Sequence, residues 1–275
     1  VGRRLDAYFA GRRAWLDING IWDEYAIVLP DDPQSDVPGI IVSARPDDSY
    51  WSHITVTVSG DQPVSEPGVT LSQFYNYSHD ISMTSGDDRL WTGTRQCKYD
   101  LGVIEVAAAS ESGSSRSVSP FEIYYNSESR YQCMNGELEM VLYQGGTFMV
   151  TQSSAPAPPN GDLVQVGYTW GLGFSDHIGT DFEISLDIKL HDKQPEGLAV
   201  MQMNLWGWDS ESRIWELIPG GENNGLDFFE THVGFPEHSS YALFAPPSDD
   251  TTPPDPVTDF QAVCGTSNIK HRTCL

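Results

Sequence analysis

With 275 residues, 39% of them hydrophobic and 11% aromatic, the chain carries enough apolar material for two ordinary domains with cores of their own, which excludes an intrinsically disordered polypeptide. Against 39 Asp and Glu stand only 15 Lys and Arg, a formal net charge of -24, and such a surface repels phosphate backbones and anionic lipid; no nucleic-acid partner is expected. No apolar run approaches the ~18 residues of a helical membrane span, so no membrane insertion is expected either.

The first predicted element is a helix. Between residues 3 and 16, Leu5, Tyr8, Phe9, Arg12 and Leu16 recur at three- and four-residue steps, an amphipathic pattern whose apolar face needs a partner. The stretch Arg12-Arg13-Ala14-Trp15-Leu16 resembles the closing segment of the spore-coat kinase-like family. That resemblance implies that residues 1–17 are the terminal helix of an upstream domain and that any kinase-like active site lies before Val1.

Residues 18–38 read as a turn-rich linker, marked by Pro30-Asp31-Asp32-Pro33 and Asp36-Val37-Pro38. Asp31, Asp32 and Asp36 are either Ca²⁺ ligands that stiffen a domain junction or solvated linker residues; no Asp-x-Asp-x-Asp-Gly loop accompanies them.

From residue 39 the hydrophobic period becomes two. Ile54–Ser59, Val69–Asn76, Leu90–Arg95, Leu101–Ala109 and Val118–Tyr125 alternate apolar and polar residues between Gly, Asp, Ser and Pro turns, which predicts a β-sandwich over 39–130. The run Trp91-Thr92-Gly93-Thr94, followed by the alternating strand at Gly102–Ala109, resembles bacterial immunoglobulin-like modules. In those modules the tryptophan packs the core, so the resemblance gives that role to Trp91.

A second β-sandwich is predicted over 131–247. It opens with Glu137–Leu142, and Phe182–Leu190 alternates cleanly, whereas Leu198–Trp208 is apolar or bulky on both faces, as a doubly covered strand is. Trp208–Leu217 reads as a hairpin with a polar tip. The segment His238-Ser239-Ser240-Tyr241-Ala242-Leu243-Phe244, with Trp215-Glu216-Leu217 before it, resembles the closing strand of β-sandwich modules in large bacterial surface and secreted proteins. Pro253–Ala262 resembles the entry to a fibronectin type III domain, a likeness that stops at about Lys270. Residues 248–275 are therefore expected to be a Pro-rich linker and the cut start of a further module, and the chain a slice of a longer multidomain polypeptide.

Candidate chemistry is sparse. Neither Gly-x-Ser-x-Gly nor His-Glu-x-x-His occurs, and Gly171-Leu172-Gly173 is too short for a phosphate cradle. Glu230, His232 and His238 either meet across neighbouring strands as an imidazole and carboxylate set, or the histidine is an edge-strand one hydrogen-bonded to loop backbone. Of the four cysteines, Cys97, Cys133, Cys264 and Cys274, none has Cys-x-x-Cys spacing; Cys97 and Cys133 either pair in a secreted chain or stay as buried thiols. Trp170, Trp206, Trp208 and Trp215 either stack on sugar rings or pack a core, with Trp206 and Trp208 sharing one face of a strand.

Together these readings predict an all-β chain of tandem immunoglobulin-like sandwiches with one short N-terminal helix. Its expected role is non-catalytic: extracellular or cell-surface spacing and adhesion, with neighbouring modules of the same polypeptide as partners and no cofactor beyond a possible Ca²⁺. The alternatives are a carbohydrate-binding accessory module that contacts polysaccharide or surface glycan, and the tail of a kinase-like enzyme.

Overall fold

The computed structural model describes residues 40–47, 53–60, 62–73, 77–87, 90–110, 113–125, 130–142, 147–153, 162–175, 183–189, 202–223, 228–234, 238–247, 264–266 and 272–274. The predicted helix at 3–16, the linker with Asp31, Asp32 and Asp36, and the Pro-rich seam after residue 247 lie outside these residues. Within them the chain is all-β and every strand pairing is antiparallel, with one short 3-10 turn at Met134–Gly136.

In chain order the first strands are β1 (Ile40–Pro46), β2 (His53–Gly60), β3 (Gly68–Gln73), β4 (Tyr77–Ile81), β5 (Thr84–Asp87), β6 (Leu90–Gln96), β7 (Leu101–Ser110) and β8 (Gly113–Tyr125). After them come β9 (Arg130–Cys133), β10 (Leu138–Leu142), β11 (Thr147–Ser153), β12 (Val164–Phe174), β13 (Glu183–Lys189) and β14 (Asn204–Asp209). The last are β15 (Ile214–Ile218), β16 (Glu222–Asn223), β17 (Phe228–Gly234), β18 (Ser240–Ala245), β19 (Cys264–Thr266) and β20 (Arg272–Cys274).

A nine-stranded sheet, in the order β15-β14-β18-β12-β11-β8-β7-β3-β4, is the centre of the molecule. It takes strands from both sides of residue 130, because β8 pairs with β11 from Thr147↔Tyr125 to Thr151↔Phe121. A four-stranded sheet, β1-β2-β6-β5, packs on one face, and a five-stranded sheet, β16-β17-β13-β10-β9, packs on the other.

The two-residue side-chain period of a strand decides which core each residue joins. On β11, Phe148 and Val150 join the core under the five-stranded sheet, while Met149 between them joins the core under the four-stranded sheet. On β18, Tyr241 and Leu243 face one way and Ala242 and Phe244 the other. Such strands are buried on both faces, hence the unbroken apolar text of Tyr241–Ala245.

β1 lies directly against β12, and two glycines permit it. A Cβ on Gly173 would stand 2.0 Å from the Ala44 carbonyl oxygen, and one on Gly171 would meet the Thr151 hydroxyl 2.1 Å away and the Ser43 backbone at 3.4 Å. The Thr151 hydroxyl also donates to the Val42 carbonyl at 3.4 Å. The Gly-x-Gly text that is too short for a phosphate cradle thus serves close contact between two backbones.

The chain passes from the central sheet to the five-stranded one between β8 and β9, and a buried carboxylate secures the passage. Glu122 is 5% exposed, and it accepts from the Tyr124 hydroxyl and, at 2.9 Å, from the Met134 backbone N–H. Met134 has φ +49°, a left-handed conformation that is uncommon for a side chain of this size.

Candidate functional site

The tryptophans singled out in the sequence occupy both faces of the central sheet. Trp206 and Trp208 share the face of β14 that turns toward the four-stranded sheet, whereas Leu205 points into the opposite core with Met203 and Trp170. Trp208 is 2% exposed. Its indole N–H donates to the Ser59 hydroxyl of β2 at 3.0 Å, and its ring packs edge to face on Trp215 at 5.4 Å. Trp215 in turn stands 5.2 Å from Phe244, and Ile41 of β1 completes this small third core.

A sugar-stacking platform needs ring faces open to solvent. Trp170 and Trp208, each 2% exposed, offer none, and Trp215 at 7% offers little. Trp206 alone of the four is half-buried. It stands opposite Leu217, which is 51% exposed on the edge strand β15, and its indole nitrogen has no hydrogen-bond partner. Trp91 is half-buried against the core under the four-stranded sheet, and its indole N–H donates to the Val64 carbonyl at 3.2 Å.

The second constellation lies on the other face of β14. The His238 ring sits over Gly207, where a Cβ would approach its Cγ to 2.4 Å, and stands 6.0 Å from the Tyr241 ring. Its Nε2 is 3.0 Å from the Glu216 carboxylate, so the partner of this imidazole comes from β15. The imidazole is 5% exposed and Glu216 51%, an arrangement in which a buried ring is held by a carboxylate at the rim.

Asp209 ends β14 and organises the hairpin turn. It accepts from the Ser212 hydroxyl at 2.5 Å and from the Glu211 N–H at 2.8 Å. The Ser212 bond, working against partial burial and helped by backbone N–H groups, holds its carboxyl below the usual range. Arg213, with φ +57°, closes the turn by donating its N–H to the Asp209 carbonyl at 2.8 Å. These groups fold the hairpin between β14 and β15.

Cys97 and Cys133 are both buried and neither forms a disulfide. Cys97 belongs to the core under the four-stranded sheet and Cys133 to the core under the five-stranded sheet, so the central sheet stands between the thiols. Burial pushes the Cys97 thiol up to about 12, which keeps it in the unreactive protonated form. Of the possible Ca²⁺ ligands, Asp31, Asp32 and Asp36 lie outside the described residues. Among the described residues no group of three or more His, Cys, Asp or Glu could hold a metal ion, and no helix is long and apolar enough to cross a membrane.

Sequence reasoning missed Glu216, Gly207 and Ser59 as partners. Glu216 could have been found from the hairpin, because it is one residue from Trp215; Ser59, 149 residues from Trp208, carries no local signal.

The fold and these contacts define an all-β protein of packed antiparallel sheets, compatible with β-sandwich modules. The chain matches no protein-family model, no curated protein and no solved structure.

Proposed function

We propose that this chain is a non-catalytic spacer of a larger secreted or cell-surface polypeptide, built of immunoglobulin-like β-sandwich units that hold neighbouring modules apart or present them for adhesion. The observation that carries this reading is the nine-stranded sheet shared by two cores. A sheet hydrogen-bonded through β8 and β11 and covered on both faces resists bending at the junction, which suits an element that sets distance. The large aromatic side chains support the same reading, since Trp170, Trp208 and Trp215 are spent on packing. The fibronectin-type entry after Pro253 and a Ca²⁺-stiffened junction at Asp31, Asp32 and Asp36 belong to the same proposal.

A carbohydrate-binding accessory module is the second reading, and Trp206 is the observation that favours it. Half-buried and opposite exposed Leu217, it is the one tryptophan of the four with ring surface to offer. A glycan array probed with the purified chain and its Trp206→Ala variant separates the two. The spacer reading expects no glycan bound above background by either protein; glycan binding that disappears in Trp206→Ala replaces it with the lectin reading.

A further inference from the structure

We propose that Cys264 and Cys274 are an oxidative modification site, a cross-strand disulfide that closes the hairpin β19–β20. The register of this hairpin is Cys264↔Cys274, Gly265↔Thr273, Thr266↔Arg272, so the two cysteines are direct partners in an antiparallel ladder. Directly opposed residues of such a ladder lie on the same face, with Cα atoms about 4.5 or 5.5 Å apart according to the hydrogen-bonding of the pair. Both spacings fall inside the roughly 4.4–6.8 Å that a disulfide spans. A slip of one residue puts the cysteines on opposite faces and removes the match.

The remaining cysteines do not compete. Cys97 and Cys133 are buried in cores on opposite faces of the central sheet, and neither takes part in a disulfide. The terminal hairpin is thus the place where two cysteine positions of this chain are directly paired by the backbone.

The oxidant is a small disulfide such as oxidised glutathione. One cysteine thiolate attacks it, forms a mixed disulfide and releases a first glutathione thiolate; the second cysteine then attacks the protein sulfur of that mixed disulfide and releases a second. Two protons and two electrons leave the protein, one S–S bond forms in it, and one S–S bond is lost from glutathione. The inference goes beyond the spacer reading and rests on register alone.

The test equilibrates the full chain in glutathione buffers, quenches with acid, alkylates in denaturant and digests with trypsin, which cuts after Lys270 and Arg272. The expected product is the Cys264 peptide joined to the Cys274 peptide, with Cys97 and Cys133 both alkylated. Because the folded hairpin holds the pair in register, the oxidation constant in native buffer should exceed that in denaturant at least tenfold, about 30 mV in potential. Cys97→Ser should leave the joined peptide in place, and Cys274→Ser should abolish it. Alkylation at all four cysteines, glutathione adducts without a joined peptide, or equal constants with and without denaturant overturn the proposal.

Discussion

The Trp208 indole N–H donates to the Ser59 hydroxyl at 3.0 Å across 149 residues of chain, tying β14 near one edge of the central sheet to β2 of the four-stranded sheet. Both partners are 2% exposed, so no water replaces either of them if the other is removed. A buried indole N–H left unpaired costs about 1–3 kcal/mol. Ser59→Ala should therefore lower the unfolding free energy by about 1–2 kcal/mol in urea titration with an unchanged m-value. Trp208→Ala, which also opens a cavity beside Trp215 and Phe244, should cost about 3–5 kcal/mol. A Ser59→Ala variant as stable as the parent would show that the bond contributes nothing.

The approach of β1 to β12 gives a contrasting pair of glycines. A methyl on Gly173 would overlap the backbone of Ala44 at 2.0 Å and Arg45 at 2.6 Å, and backbone cannot rotate away as a side-chain end can. A methyl on Gly86 meets nothing within 4 Å. Gly173→Ala should cost about 3 kcal/mol or more, while Gly86→Ala should stay within about 0.5 kcal/mol of the parent. Thermal unfolding of the two variants side by side reads the difference.

How much of this was legible in the text depends on where the deciding contact lies. Strands with a period of two, such as β2 and β13, are written plainly because one face of each is polar. β1, β11 and β12 are not, since they are buried on both faces, and their serines, threonines and glycines read as loop when taken alone. Small residues there admit a second sheet, and nothing local says so. The double covering of β14 was readable from its apolar text, but what covers the Trp206 and Trp208 face was not. Likewise His238 is a conspicuous residue in the sequence, while its carboxylate partner Glu216 is fixed only by the neighbouring strands β14 and β15.

The shared sheet predicts how the molecule melts. Cores that meet only at a flexible joint unfold independently, whereas β8 and β11 exchange ladder bonds between the strands of one core and those of the other. Calorimetry should show one transition whose van't Hoff and calorimetric enthalpies agree. Two resolved transitions, with Gly173→Ala shifting only one, would mean that the ladder between β8 and β11 does not couple the cores.

Tyr124 makes the passage from β8 to β9 sensitive to alkali. Burial raises its hydroxyl well above 10.0, and the neighbouring Cys133 and Glu122 raise it further. In the unfolded chain the phenol ionises near its ordinary value, so between that pH and the folded value the native state holds the extra proton and stability falls as pH rises. The contribution is intact below pH 10. Phenolate absorbance should show a component that stays neutral well above pH 10 until the chain unfolds, and this component should shrink in Tyr124→Phe.

Cys97 should behave in the same direction from a lower starting point. Its thiol is pushed from 9.0 to about 12 by burial, so the folded state retains the proton across that window while the unfolded state loses it. Each pH unit between those limits costs up to ~1.4 kcal/mol, and no loss is expected below pH 9. Replacing Cys97 by Ala removes this slope, so the difference in unfolding free energy between parent and variant should narrow as pH climbs from 9 to 10.5. In native buffer at pH 8, an alkylating reagent should leave Cys97 unmodified until denaturant is added. Prompt modification without denaturant would mean that the thiol is reached through openings of the four-stranded sheet, and that the core around Ile54, Val56 and Val58 is far less stable than its packing implies.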